Sequence, residues 1–162
     1  MYDVVIRNGR LIDGTGSPWF RADVAVSAGR IARIGNLPEA PAARILDAAG
    51  CLVAPGLIDI HTHSDLTLLV DRRAASTLAQ GITTQVVGNC GVSGGPTCAG
   101  QPYYGPLDPA MTRELVCDWV GFGEYLERLE QGGLGTNVAS LVGHGNLRAA
   151  VMGYDNRPST PV

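Results

Sequence analysis

Apolar and polar positions change rhythm near Pro55. Before it, short alternating runs are separated by turn-forming pairs. Residues 2–7 (Tyr-Asp-Val-Val-Ile-Arg) read as a strand, Asn8-Gly9 as a two-residue hairpin turn, and residues 10–13 as its return. Asp13-Gly14-Thr15-Gly16-Ser17-Pro18 reads as a loop. Residues 22–27 alternate, Ala28-Gly29 turns, and residues 30–35 return. Residues 36–43 carry two prolines and read as a linker. Residues 45–48 and 51–54, around Ala49-Gly50, predict a third small hairpin. A sheet this small has an apolar face that must rest on something else.

After Pro55 the runs lengthen. Residues 57–63 form a mostly apolar strand, as expected when both faces are covered. Residues 66–80 predict a helix, with Gly81 placed to cap its C-terminus. Residues 82–87 are largely β-branched and apolar and predict a second buried strand. A loop rich in Gly and Pro spans 92–112, a length usually reserved for function. Residues 114–131 have a helical pattern, with a break near Gly121-Phe122-Gly123. In it Phe122, Tyr125, Leu126 and Leu129 follow i, i+3, i+4, i+7 spacing and form a core stripe. Gly132-Gly133 ends it, and residues 137–142 are a third apolar strand. The chain thus divides into a β-rich part, 1–54, and an alternating strand–helix part, 55–162, of α/β class.

Composition narrows the function classes. The chain has 162 residues, 45% hydrophobic and 17% charged, with a net charge of -3. That suffices for a modest core and leaves no basic footprint for nucleic acid. No apolar run approaches the roughly 18 residues of a membrane span. The N-terminus lacks a basic segment leading into an apolar one, so a cytoplasmic location is expected. Cys51, Cys90, Cys98 and Cys117 are irregularly spaced, which fits reduced thiols better than a disulfide frame.

The candidate chemistry lies at the strand ends. Two of the three histidines, His61 and His63, sit one residue apart in Asp59-Ile60-His61-Thr62-His63. On a strand, alternate side chains share a face, so both imidazoles point one way with Asp59 below them. That is half of a metal site, or else two ordinary histidines. The second strand opens into Gly88-Asn89-Cys90-Gly91, the third into Gly143-His144-Gly145-Asn146. Ligands of parallel α/β proteins collect at such C-terminal strand ends. Cys90 reads as a ligand or a core thiol. His144 reads as a contact to substrate or metal, or as a hydrogen-bonding partner of loop backbone. Asp59 orients a histidine or satisfies polar groups inside the sheet. Asp65 and Asn89 shape loops, and the other three cysteines belong to packing or loops.

Pro55-Gly56-Leu57-Ile58-Asp59-Ile60-His61-Thr62-His63 after a small β-meander resembles the amidohydrolase superfamily. Gly81-Ile82-Thr83-Thr84-Gln85-Val86-Val87-Gly88-Asn89-Cys90-Gly91-Val92-Ser93 and Leu141-Val142-Gly143-His144-Gly145-Asn146-Leu147-Arg148 narrow the likeness to the N-acyl-D-amino-acid deacylases. The resemblance implies an incomplete (β/α)8 barrel preceded by part of a small β-sandwich, and zinc as cofactor. It also implies hydrolysis of an N-acyl-D-amino acid, a small-molecule substrate, to a D-amino acid and a carboxylate. It puts the family's His-x-His pair on His61 and His63, at the weaker of two neighbouring metal positions. It puts the cysteine of the tighter zinc site on Cys90.

A complete barrel of this type needs eight strands and about 250 residues. The family's two further zinc histidines and its acid/base aspartate fall on later strands, so the aspartate is expected downstream of Val162. The expectation is therefore a truncated portion of an enzyme, inactive alone, whose open sheet edges invite self-association. Two competing readings are a dihydroorotase or hydantoinase type of amidohydrolase and a non-catalytic vestigial or assembly chain. The Cys90 motif argues against the first, because those enzymes commonly use a carboxylated lysine between metals.

Overall fold

The computed structural model describes residues 1–98 and 115–160. The chain forms two compact units, Met1–Pro55 and Gly56–Val162.

The first unit holds strands β1 (Tyr2–Arg7), β2 (Arg10–Leu11), β3 (Phe20–Arg21), β4 (Asp23–Ser27), β5 (Arg30–Gly35), β6 (Ala42–Asp47) and β7 (Leu52–Val53). They make a four-stranded sheet, β5-β4-β1-β6, and a three-stranded one, β3-β2-β7. The β4–β5 hairpin turns on Ala28 and Gly29, both at positive φ, as the right-handed twist of paired strands favours. Val5, Ala25 and Leu37 form the buried centre.

The other two expected hairpins do not form. Asn8-Gly9 does not fold β2 back on β1; it is a corner that passes the chain from one sheet to the other. Asn8 takes φ +62, its backbone N–H donates to Asp23 Oδ1 (3.0 Å) and its Nδ2 donates to Asp47 Oδ1 (2.9 Å). A Cβ on Gly9 would lie 2.6 Å from Val53 Cγ2. Likewise β6 pairs in parallel with β1, and β7 in parallel with β2, so Ala49-Gly50 is a second corner. The linker shrinks accordingly, since β6 begins at Ala42. Ile31, Ile34 and Ile45 are exposed on the four-stranded sheet.

The second unit contains β8 (Leu57–Asp59), α1 (Thr67–Val70), α2 (Ala75–Ala79), β9 (Ile82–Val87), α3 (Phe122–Glu130), β10 (Asn137–Ser140) and α4 (His144–Met152). Its three strands form one parallel sheet, β10-β9-β8. This is α/β architecture, and among the described residues the sheet is open. Leu66, Leu68, Ala74, Trp119, Tyr125 and Leu129 pack as its core, with Val138 of β10 against them. Ile58 and Ile60 are open to solvent. No helix among the described residues is long and apolar enough to cross a membrane.

Tertiary contacts override local pattern at two places. The helix expected over 66–80 is two short helices, because residues 71–74 serve other partners. Arg72 donates to the carbonyls of Leu129 (3.0 Å) and Arg128 (2.9 Å), capping the C-terminal end of α3. Ala74 turns the chain with φ +47. The helix expected over 114–131 starts at Phe122, and Glu114 lies outside the described residues. Residues 115–120 run non-helical, tied to Thr97: its N–H donates to Val120 O (2.9 Å) and its Oγ1 to Trp119 O (3.0 Å). In the predicted stripe Tyr125 and Leu129 are buried and Phe122 packs beside them, while Leu126 faces solvent. Much of the 92–112 loop, residues 99–112, lies outside the described residues.

Glu124 caps α3 by accepting hydrogen bonds from the N–H groups of Val120 (2.7 Å) and Gly121 (2.9 Å). The Val120 bond, then the Gly121 bond, lowers its pKa below the ordinary 4.5. A lowered carboxylate pKa stabilises the fold above the unfolded value and ceases to do so as pH falls through the folded one. Glu124→Gln should therefore lower the melting temperature at neutral pH by a small amount, and the difference from wild type should shrink as the pH is taken below 4.5. Melting curves at several pH values test this; a difference that grows in acid contradicts it.

Candidate metal centre

Three side chains converge at the C-terminal end of the parallel sheet. The ligand-type atoms of His61, His63 and Cys90 all lie within 4.8 Å of one another, and all three residues are exposed. His61 Nε2 is 3.2 Å from Cys90 Sγ. The two imidazole rings have centroids 5.6 Å apart and stand at 67°.

The route to this convergence differs from simple strand alternation. The hydrogen-bonded strand stops at Asp59, whose Oδ1 accepts from the backbone N–H of His61 (3.0 Å). That contact bends the chain at the strand end. Beyond it exposure still alternates: His61 and His63 are exposed, Thr62 and Ser64 half-buried. The inner pair is hydrogen-bonded, Thr62 Oγ1 to Ser64 Oγ at 2.9 Å and Ser64 Oγ to Gln85 Oε1 at 2.8 Å. Asn89 Nδ2 ties the turn to β9 by donating to Thr62 O (3.2 Å) and Val86 O (2.8 Å).

Cys90 adopts φ +53, between Gly88 at +81 and Gly91 at +78. A side chain rarely occupies this left-handed region, which Cys90 shares with the turn residues Asn8, Ala28 and Ala74. The following loop is clamped to α4. Asn146, fully buried, accepts from Ser93 N–H (2.8 Å) and donates to the carbonyls of Ser93 (2.8 Å) and Pro96 (3.1 Å). Ser93 Oγ accepts from Gly143 N–H at 2.9 Å, and Gly145 N–H donates to Gly91 O at 2.8 Å.

Asp65 lies behind this rim, 4% exposed. Burial pushes its carboxyl pKa up, against the opposing pull of backbone N–H groups and of His63. Its carbonyl accepts from Tyr125 OH at 2.9 Å. Burial, and then the charge of Asp65, raises the Tyr125 pKa, so the phenol stays protonated and serves as a donor.

His144 is not part of the convergent trio. It is the first residue of α4, after Gly143, and is exposed. Gln85, Ser93 and Asn146 escaped the sequence reading. A glutamine inside the apolar run 82–87 was a visible irregularity. Nothing local marked Ser93 and Asn146, which meet across 53 positions.

The donor set suits zinc, since imidazole and thiolate are its common protein ligands. With bonds of about 2.0–2.3 Å, tetrahedral zinc holds its ligand atoms on the order of 3.5 Å apart; the His61–Cys90 separation of 3.2 Å is near that value, and all three ligand atoms lie within 4.8 Å of one another.

Residues 44–160 match the model of the amidohydrolase family. The chain is 42% identical over 159 residues to a D-aminoacylase of Alcaligenes xylosoxydans xylosoxydans, covering 98% of this chain and 32% of that protein. It is 46% identical over 153 residues to an N-acyl-D-glutamate deacylase of the same organism, covering 93% and 30%. Among solved structures, D-aminoacylase, described for its binuclear metal centre, superposes with TM-score 0.80 at 41% identity, over 94% of this chain and 32% of that one. The N-acyl-D-glutamate deacylase of Bordetella bronchiseptica, complexed with zinc and a phosphonate inhibitor, gives 0.77 at 44%, over 93% and 31%. The chain thus spans about a third of the length of the relatives it matches, in their N-terminal portion. With this match and the His-x-His and cysteine-bearing strand ends in place, the chain belongs to the amidohydrolase family.

Proposed function

We propose that this chain is the metal-bearing N-terminal portion of a zinc-dependent N-acyl-D-amino-acid deacylase. Its parallel sheet is then the first part of a (β/α)8 barrel, and residues 1–54 part of a small β-sandwich. The observation that carries the reading is the approach of His61, His63 and Cys90 to within one ion's reach. The identity to two deacylases over nearly the whole chain supports the substrate class.

In this reading His61, His63 and Cys90 are the metal ligands that this chain supplies. The chemistry available with zinc bound is polarisation of an amide carbonyl and activation of water at neutral pH. Asp59 fixes the His61 backbone, and the Asn89 amide holds the turn against β9. The exposure of all three ligand residues leaves the rim open to a small-molecule substrate. His144, exposed after β10 at the same end of the sheet, suits contact with substrate better than a hold on the ion. No residue of this chain is assigned the proton transfer to the leaving amine.

The test is a chimera in which residues 1–160 replace the matching portion of the Alcaligenes D-aminoacylase. It should release free D-amino acid from N-acetyl-D-amino acids, and its Cys90→Ala version should not. A folded, zinc-loaded chimera without turnover overturns the proposal.

A further inference from the structure

Gln85 sits in the middle of β9, 1% exposed, in a run that is otherwise Ile, Thr and Val. An apolar side chain would fill that space without burying an amide. The glutamine instead leaves its Nε2 buried with no hydrogen-bond partner, an arrangement that costs stability. Its Oε1 has one partner, the hydroxyl of Ser64 at 2.8 Å. Ser64 has a single hydroxyl hydrogen, and Gln85 takes it. The 2.9 Å contact between Thr62 Oγ1 and Ser64 Oγ is then donated by Thr62. The order of donation, Thr62 to Ser64 to Gln85, is fixed by the acceptor at its buried end.

We propose that Gln85 is a positioning residue for the His61-Thr62-His63 turn, acting through the hydroxyls of Ser64 and Thr62. Thr62 lies between the two imidazoles. Its backbone is already tied to β9, its N–H donating to Val86 O (3.3 Å) and its carbonyl accepting from Asn89. Those bonds set where the turn sits and the direction in which the Thr62 Cα–Cβ bond leaves it. The hydroxyl relay adds a hold on the Thr62 and Ser64 side chains at their inner ends, so that the turn keeps both inward. The flanking imidazoles are left outward, where His61 Nε2 meets Cys90 Sγ. Gln85 touches neither imidazole nor thiol; its influence passes through two hydroxyls. Outer partners of this kind commonly change metal affinity 10–100-fold.

The consequence for metal affinity rests on the proposed zinc site, whereas the orientation itself belongs to the metal-free chain. The experiment therefore reads both. The full chain is compared with Ser64→Ala, which cuts the relay, Gln85→Met, which removes the acceptor at similar length, and Ser64→Thr, which keeps a hydroxyl. Without metal, the alkylation rate of Cys90 is followed by mass spectrometry, with exposed Cys51 in the other unit as internal reference. Circular dichroism checks that each variant is folded. Ser64→Ala and Gln85→Met should change the Cys90 rate several-fold with Cys51 unchanged, and Ser64→Thr should stay near wild type. With cobalt(II), the first two should bind about tenfold or more weakly, with an altered thiolate-to-cobalt charge-transfer band. Wild-type Cys90 rates in folded Ser64→Ala and Gln85→Met overturn the proposal. A wild-type chain that takes up no metal refutes the zinc reading instead, and the alkylation rates still decide the role of Gln85.

Discussion

Cys90→Gly should abolish stoichiometric zinc binding by the purified chain while making the metal-free chain more stable. The two effects have opposite signs because they come from different features of one residue. The thiol supplies one of three convergent donors, with Sγ 3.2 Å from His61 Nε2. Its loss leaves two imidazoles, fewer than the three protein ligands of an open zinc site, and the affinity should drop by on the order of 100-fold or more, beyond the usual effect of an outer partner. The backbone at Cys90 is held at φ +53. Glycine takes that conformation freely, so removing the side chain should recover about 1 kcal/mol. Cys90→Ala separates the two effects: it loses the metal equally and keeps the strained backbone, so its metal-free stability should stay within about 0.5 kcal/mol of wild type. Isothermal titration with zinc and urea unfolding in chelator give both numbers. Undiminished zinc uptake in either variant removes Cys90 from the site.

This coupling of strain and chemistry also marks what the sequence made legible. The three strand-end motifs of the second unit, with His61, His63 and Cys90, could be read because each carries its own signal: an apolar run, then Gly or Asp, then a ligand-type side chain. The parallel strands of the second unit follow from the same grammar. The first unit was harder. Asn8-Gly9 is as good a corner between sheets as a hairpin turn, since both need positive φ at Asn8. Only the distant partners of that turn, Asp23 and Asp47, distinguish the two. The parallel pairings of β6 with β1 and β7 with β2 are likewise non-local. So are Arg72 reaching the end of α3 and Thr97 holding residues 119–120. Periodicity reports which face an element buries, not which other segment needs its backbone. The clamp of Asn146 on Ser93 follows the same rule: it shapes the loop after Cys90 and left no local trace.

Gly88→Ala should be the most damaging single substitution at this end of the sheet, costing about 4 kcal/mol or more, a large share of the 5–15 kcal/mol that holds a typical domain together. Two effects add. Gly88 has φ +81, where a side chain costs about 1–2 kcal/mol. In addition, a Cβ there would lie 2.0 Å from the carbonyl oxygen of Leu141, 2.7 Å from its carbon and 2.9 Å from its nitrogen. All three atoms are backbone, so no rotamer change relieves the overlap; β9 and β10 must part. Leu141 N–H donates to Val87 O at 2.9 Å, just beyond the Ser140↔Val87 pairing, and that bond would go first. Gly132 and Gly133 provide the control, with φ +81 and +73 and nothing within 4 Å of an added Cβ. Alanine at either should cost only about 1 kcal/mol, the conformational part alone. Urea unfolding of the three variants isolates the steric part as the difference, about 3 kcal/mol. If Gly88→Ala is no worse than Gly132→Ala, the close approach of Gly88 to β10 is not a feature of the folded chain. Because Gly88 lies two residues before Cys90, the same variant should also move the thiol from His61, and zinc affinity should fall with stability.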